Sequence, residues 1–292
     1  MLVRLHLLIL PLLLAACSPS PAATPHRAAP LAAAASATVG TAECPDRETR
    51  GDGVRLCETR TLDLRGRQLT LDASPNGGIS VTGWSRSEIQ VVAHVEAWGD
   101  REDTARRLLR ETEVHVRGRT VSTHLPKREG RQDQREGWSS VRYEVRVPRE
   151  AELDLRTVNG GIVIADVAGT LSLRSTNGGI ELENVGGEID GRTTNGPVHV
   201  RLNQSPLGRL ALETTNGPVT LVVPANLSAE VDARTSLGPV RIDGLPLEES
   251  GCNERGRARV PCLNGRVVGT LGQGGAALRL RTTNGPISLR GR

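Results

Sequence analysis

Three residues before each of six recurring turns stands a charged side chain: Arg156, Arg174, Arg192, Glu213, Arg234 and Arg281. A row of guanidinium groups is chemistry for anions, because each presents a rigid fork of N–H donors that fits carboxylate or phosphate. If successive turns stack as neighbouring strands, the bases of Arg156, Arg174 and Arg192 stand about 4.8 Å apart. That spacing suits a repeating polyanion such as an acidic glycan, another envelope polymer or lipid phosphates. The same row also serves as a solvated strand face whose Arg stems shield the core. Asp154 and Asp190 lie on that face and neutralise part of its charge.

The two aspartates raise a second chemistry. They are two repeats apart, about 9.5 Å, a nominal separation for an inverting pair of carboxyl groups in a polysaccharide-acting hydrolase or lyase. One carboxyl must then keep its proton near neutral pH, whereas Arg156, Arg174 and Arg192 surround both and favour the ionised form. No aromatic residue lies in the array to stack a sugar ring, since the four aromatics (Trp84, Trp98, Trp138 and Tyr143) all precede it. Binding is therefore the first reading and a polysaccharide-acting enzyme the second, with no residue assigned as catalytic. His6, His26, His94, His115, His124 and His199 form no metal-ligand spacing. No HExxH, GxSxG or phosphate-cradling GxxxxGK[ST] accompanies them. Neither a metal nor a cofactor is expected.

The turns that carry these residues are copies of one unit. Asn76-Gly-Gly-Ile, Asn159-Gly-Gly-Ile, Asn177-Gly-Gly-Ile, Asn195-Gly-Pro-Val, Asn216-Gly-Pro-Val, Leu237-Gly-Pro-Val and Asn284-Gly-Pro-Ile recur, the last six at intervals of 18, 18, 21, 21 and 47 residues. Apolar residues follow each Asn at three and five positions (Ile162/Ile164, Ile180/Leu182, Val198/Val200) and precede it at four and six (Leu155/Leu153, Leu173/Leu171, Leu212/Leu210). Alternation on both sides of a tight turn predicts two half-buried strands per unit. Asn-Gly is also a hairpin signal, so a meander uses the same words. Two features favour a solenoid: the nearly fixed period, and like residues at like positions, such as Thr157, Ser175, Thr193, Thr214, Thr235 and Thr282. Stacked hydroxyls and Asn amides are expected to hydrogen-bond up the column. Leu237 interrupts the Asn series. The expected fold is all-β, a single-stranded β-solenoid (β-helix) with 18–21-residue coils and one short side helix, each coil burying its apolar side chains only when its neighbours are present.

Residues 149–292 form the regular part, with an inserted loop near 246–266. Residues 44–148 read as its wider N-terminal part, with strands near 88–98, 112–117, 119–125 and 140–147. A short helix is expected over 100–109, capped by Asp100, lying against or capping the solenoid, and residues 127–137 read as a charged, mobile loop. The last coil ends near Arg292. It is expected to leave an open solenoid end guarded by Arg290 and Arg292, where two copies could pair end to end.

The first 43 residues carry an address. Arg4 followed by an apolar run from Leu5 to Ala16 reads as a secretory signal, too short to span a bilayer, which takes about 20 apolar residues. Leu14-Ala15-Ala16-Cys17 resembles the lipobox of bacterial lipoproteins. That resemblance implies a signal peptide over 1–16, lipid attachment at Cys17 and, with Ser18 next, the outer membrane in an organism that has one. Residues 17–43 then read as anchor and disordered Ala/Pro tether. Of five cysteines, four remain in two local pairs, and short loop closure favours Cys44–Cys57 and Cys252–Cys262 disulfides in an exported chain. The formal charge of +4 is too mild to argue for nucleic acid.

The anchor, the Val147-Pro148 step before the array and the recurring Thr-x-Asn-Gly-x-Ile units resemble the bacterial putative-adhesin family of β-strand-repeat proteins, an uncharacterised domain family. The resemblance covers most of residues 60–292. It implies a β-helix and an envelope location, and no catalytic residues.

Overall fold

The computed structural model describes residues 36–41, 53–127, 136–203, 207–249 and 265–292, all within the compact unit Ala33–Arg292. Cys17, Cys44, Cys252 and Cys262, the signal segment, most of the tether and most of the 127–137 loop lie outside the described residues.

Alternating aliphatic residues of the repeat leave only one face of each strand dry, so strands must pair sheet against sheet. Two sheets of eleven strands result. In spatial order the first sheet contains Ser36–Thr41, Val54–Arg65, Glu88–Gly99, Gly137–Pro148, Ile79–Trp84, Ile162–Ala165, Ile180–Glu183, Val198–Arg201, Val219–Val223, Ile287–Gly291 and Val240–Asp243. The second contains Leu247–Glu249, Arg266–Leu271, Ala229–Leu237, Ala276–Asn284, Leu207–Asn216, Gly186–Asn195, Ala168–Asn177, Glu152–Asn159, Gln68–Asp72, Thr120–His124 and Glu113–Arg117.

Within the repeat, each coil gives one strand to each sheet, and coil pairs with coil in parallel. On the first sheet Ile162, Ile180, Val198, Val219, Ile287 and Val240 stand in one row. On the second, Leu155, Leu173, Gly191, Leu212, Leu280 and Ala233 do so. All these aliphatic side chains are buried, each worth roughly 1.5–3 kcal/mol against exposure for the larger ones. The fold is thus a two-sheet, solenoid-like stack of β-coils.

The stacking order departs from the chain order. The last coil, Ala276–Asn284 with Ile287–Gly291, does not end the stack. It lies between the coil of Asn216 and the coil of Leu237, pairing in parallel with both in each sheet. The expected open end at Arg290 and Arg292 is therefore absent: Arg292 N–H donates to Val223 O (3.1 Å) and Arg292 O accepts from Ala225 N–H (3.1 Å). The coil of Leu237 comes last. Its second-sheet strand is covered by Arg266–Leu271, running antiparallel, with Leu247–Glu249 beyond. In the second sheet, Arg266–Leu271 and Ala276–Asn284 thus grip that coil's strand from both sides.

The insertion explains Leu237. With the C-terminal coil in place, the turn asparagines form an unbroken amide ladder: Asn159 donates to Asn76, Asn177 to Asn159, Asn195 to Asn177, Asn216 to Asn195 and Asn284 to Asn216, at 2.7–2.9 Å. Leu237 stands next to Asn284 at the ladder's end, 68% exposed. In chain order it would split the ladder and strand Asn284, losing about 0.5–1.5 kcal/mol.

The N-terminal part first continues the stack and then closes it. The coil of Asn76 stacks in the repeat manner, with Ile79 opposite Ile162 and Asn76 bridging Asn159, and Thr120–His124 and Gly137–Pro148 lie parallel against it, one in each sheet. Beyond it the first sheet passes through Gly137–Pro148 into antiparallel Glu88–Gly99 and Val54–Arg65. Ser36–Thr41 then adds an antiparallel edge strand, where a disordered tether was expected. Its Ala-Thr-Val sequence is short of large apolar residues, but its backbone groups find partners along Val54–Arg65. The helix spans Glu102–Glu111, two residues later than expected, with Arg101 at its N-cap. Asp100 makes no cap and instead accepts from the Thr104 hydroxyl (3.1 Å). Thr104, Ala105 and Leu108 are buried on the helix.

Tyr143 sits fully buried in this closure, its hydroxyl 2.7 Å from that of Thr123. Burial pushes its pKa up to about 12, against the Thr123 hydrogen bond and the Arg60 charge, which pull it down. The neutral form is favoured in the fold, so the contribution is present below pH 10 and is lost as pH rises through 12. Urea unfolding of the protein is expected to lose about 2 kcal/mol of stability over that window. Tyr143→Phe, less stable at pH 8, should not show this loss. Parallel pH profiles for the two proteins would refute it.

Candidate binding face

The outward positions of the second sheet bring the predicted Arg series together. Arg156, Arg174, Arg192, Glu213, Arg281 and Arg234 form one row in that spatial order. The insertion puts Arg281 beside Glu213 and pushes Arg234 to the end. Alternation along each strand aims them outward, each followed by one of the buried hydroxyl residues Thr157, Ser175, Thr193, Thr214, Thr282 and Thr235.

The row is largely ion-paired. Arg156 holds Asp154 of its own strand (2.8 Å). Arg174 and Arg192, on neighbouring strands, share Asp190 (3.3 and 3.0 Å), and Arg192 also reaches Glu213 (3.5 Å). Arg234 and Arg281 share Asp232 (2.6 and 3.7 Å). The row is therefore a cationic ladder interrupted by carboxylates, Asp232 joining the Asp154, Asp190 and Glu213 that the sequence already placed on this face. Asp190 feels burial, which raises its pKa, but the hydrogen bond from Arg192 and the charges of Arg174 and Arg192 outweigh it and hold the carboxyl below its usual value. It is a poor proton donor near neutral pH. Asp154 and Asp190 stand two coils apart, with Ser172 between them in the register.

The hydroxyl column behaves differently from expectation. Thr157, Ser175, Thr193, Thr214, Thr282 and Thr235 are buried. They bond not to one another but to the glycine carbonyl of the adjacent coil: Thr157 donates to Gly77 O (2.6 Å), Thr193 to Gly178 O (2.7 Å) and Thr282 to Gly217 O (3.0 Å). A side chain so committed has no donor left for a ligand. Exposed hydroxyls come from the next position, Thr176, Thr194, Thr215 and Thr283. Sequence reasoning passed over these four, although the alignment on Asn that exposed the other columns carries them too.

Between the Arg row and this outer Thr column lies an open depression of about 330 Å³, lined chiefly by Arg174, Arg192, Thr176, Thr194, Glu213 and Thr215. It offers guanidinium donors, hydroxyls and one carboxylate on an open strand face. Among the described residues no group of three His, Cys, Asp or Glu side chains gathers to hold a metal ion, and no helix is long and apolar enough to cross a membrane. Cys57 lies on Val54–Arg65, opposite Glu96.

Comparison with known proteins adds the following. No curated protein matches the chain. Among solved structures, a putative cell adhesion protein from Clostridium sporogenes is 9% identical, covering 89% of this chain and 100% of its own, at a TM-score of 0.45. A putative adhesin from Parabacteroides merdae is 9% identical, covering 87% and 95%, at 0.30. A putative lipid binding protein from Parabacteroides distasonis is 8% identical, covering 82% and 97%, at 0.23. The family model described as Toastrack DUF4097 matches residues 149–290, the span that the register shows as stacked coils. Over that span, just under half of the chain, the protein is similar to the Toastrack DUF4097 family.

Proposed function

We propose that the protein is a non-enzymatic envelope lipoprotein that holds a repeating acidic polymer on the outer face of its second sheet, in adhesion or envelope scaffolding. The observation that carries this is the open depression flanked by Arg174, Arg192 and the Thr176–Thr194–Thr215 hydroxyls. Its hydroxyls Thr176, Thr194 and Thr215 come from successive coils at a spacing of about 4.8 Å, which favours an extended, repeating ligand over a small one. Charge-assisted hydrogen bonds from guanidinium donors to carboxylate or phosphate would supply affinity. The hydroxyls would take neutral sugar oxygens. The polysaccharide-acting enzyme is the weaker reading, because Arg192 and Arg174 hold the Asp190 carboxyl below its usual value and make it a poor proton donor.

The address follows the sequence: a signal over 1–16, a lipid on Cys17, an envelope location and, with Ser18, the outer membrane in an organism that has one. Cys44–Cys57 and Cys252–Cys262 are proposed as disulfides. Peptide mapping of the purified protein, without reduction, reads the lipid and both bridges.

Binding is tested with acidic and neutral envelope polysaccharides at low and high salt, beside an Arg156→Ser/Arg174→Ser/Arg192→Ser variant. The expected result is binding to acidic polymers that weakens with salt and drops by about tenfold or more in the variant, as the loss of one or two charged hydrogen bonds implies. Equal binding by a folded variant, or a preference for neutral polymers, would sink the reading.

A further inference from the structure

We propose that this face grips its acidic ligand at two cationic nodes about 14 Å apart, with a repulsive coil between them and the inserted C-terminal coil setting their separation. This rests on the binding reading above and adds to it where the polymer is held and how long it must be.

Each node is one carboxylate shared by two arginines on adjacent strands. In the first, Asp190 lies between Arg174 and Arg192, with Arg192 also reaching Glu213 (3.5 Å); in the second, Asp232 lies between Arg281 and Arg234. One carboxylate cannot satisfy two guanidinium groups, each with five N–H donors. The four arginines remain between 39% and 50% exposed, so open donors face solvent at both nodes. Arg279 strengthens the second node, standing in register beside Asp232. By contrast Arg156 is paired one to one with Asp154 and forms no node.

Between the nodes lies the coil of Asn216. Its outward residues are Arg209, Ala211, Glu213 and Thr215, of which Ala211 and Glu213 are in register with Asp190 and Arg192 on one side and with Arg279 and Arg281 on the other. Glu213 puts a negative charge level with the Arg row, while Arg209 lies four residues back along the strand, so an anion is repelled at the middle of the row and two attractive positions are left, one on either side. Asp190, Ala211, Arg279 and Asp232 occupy successive places in one row. Three steps of about 4.8 Å separate the two carboxylates, roughly 14 Å. In chain order the separation would be two steps, about 10 Å, and the second node would lose Arg279 and Arg281 from its side facing Glu213. The unexpected stacking order is thus what builds the second node and its distance.

A ligand with a single anionic group can occupy one node. A polymer that spans both gains from effective concentration, because its second contact is intramolecular. The recognised chemistry is therefore a flexible polyanion with anionic groups spaced along its length. Carboxylates, sulfates or phosphates all fit the guanidinium forks.

Calorimetric titration with inorganic phosphate, tripolyphosphate and a polyphosphate of about ten units tests this, since only the last can bridge the nodes. The variants are Arg174→Ser/Arg192→Ser and Arg234→Ser/Arg281→Ser, with circular dichroism and melting to establish that both fold. The expected result is a step of at least about tenfold in affinity per phosphate between tripolyphosphate and the longer chain. Either double variant should remove the step while binding tripolyphosphate within about twofold of the unmodified protein through the remaining node. A smooth rise with length, or a step that survives loss of either node, overturns the two-node arrangement while leaving polyanion binding intact. No binding by any probe overturns the anionic reading of the face altogether. Preference for phosphatidylglycerol vesicles over the long polyphosphate would assign the face to a headgroup surface and overturn the polymer.

Discussion

Deleting residues 276–292 is expected to abolish cooperative folding of the coil array rather than trim its end. In a stack where each coil contacts only its neighbours, stability is a sum of coil and interface terms. A terminal coil carries one interface. The C-terminal coil carries two, to the coil of Asn216 and to the coil of Leu237. It also brings Leu278, Leu280, Ile287 and Leu289, each 0% exposed. Truncating one such side chain to Ala costs about 2–5 kcal/mol, and a whole domain is stable by only about 5–15 kcal/mol. Losing all four, with the backbone ladder on both sides, removes most of that margin. The coil of Leu237 could close onto the coil of Asn216, since the repeat positions match. The segment Val223–Ser228 now spans an extra coil, however, and it would lose its bonds to Arg292. Denaturant unfolding followed by circular dichroism reads the result. A graded companion is Leu280→Ala, expected to destabilise by about 2–5 kcal/mol. A deletion variant that still unfolds cooperatively within about 2 kcal/mol of the full chain would show that the inserted coil is dispensable and that the order of stacking is adaptable.

Gly178→Ala is the second large effect, expected to cost about 3 kcal/mol or more. A Cβ at Gly178 would lie 2.0 Å from Gly160 O, 2.4 Å from its carbonyl carbon and 2.9 Å from Gly161 N. All three are backbone atoms of the adjacent coil. No rotamer change relieves the clash; the two coils must separate at the turn. Separation there also breaks the Ser175 bond to Gly160 O and strains the Asn177 bond to Asn159. The reason is local geometry. Coils approach closely enough for a hydroxyl of one to reach the first glycine carbonyl of the next, and that approach leaves no room for a side chain. Gly186→Ala is the control, because its nearest neighbour would be the Ala168 side chain at 3.6 Å, an ordinary contact. Urea unfolding of both variants separates close approach from the general cost of changing a glycine. Equal midpoints would show that the turn tolerates a Cβ.

Much of the local architecture was legible in the sequence. The Asn-Gly-Gly/Pro turns, the strands on either side, and the inward set headed by Leu155, Ile162, Leu173 and Ile180 all follow from alternation on a fixed period. The outward set, from Arg156 to Arg281, follows equally. Pairing of like positions was also legible, since residues at equal distances from Asn can stack only in register once one face is dry. The long strand at Glu88–Gly99 was read within one residue at its C-terminal end. The helix was displaced by two, because Asp100 caps by type but spends its carboxylate on Thr104.

What the sequence by itself determined is therefore the coil: its turn, its two strands, which side chains point in and which out. These depend on neighbours along the chain and on the equivalent position in any adjacent coil. The tertiary structure decided the order of the coils, the closure of the N-terminal end by antiparallel strands, and the charge of the outer face. The physical reason is degeneracy. Coils that present nearly the same rows to either neighbour fit one another in several orders, so no local signal distinguishes them. Connection lengths, the ends of the stack and the single interruption at Leu237 choose among them. That choice sets which carboxylate stands beside which arginine.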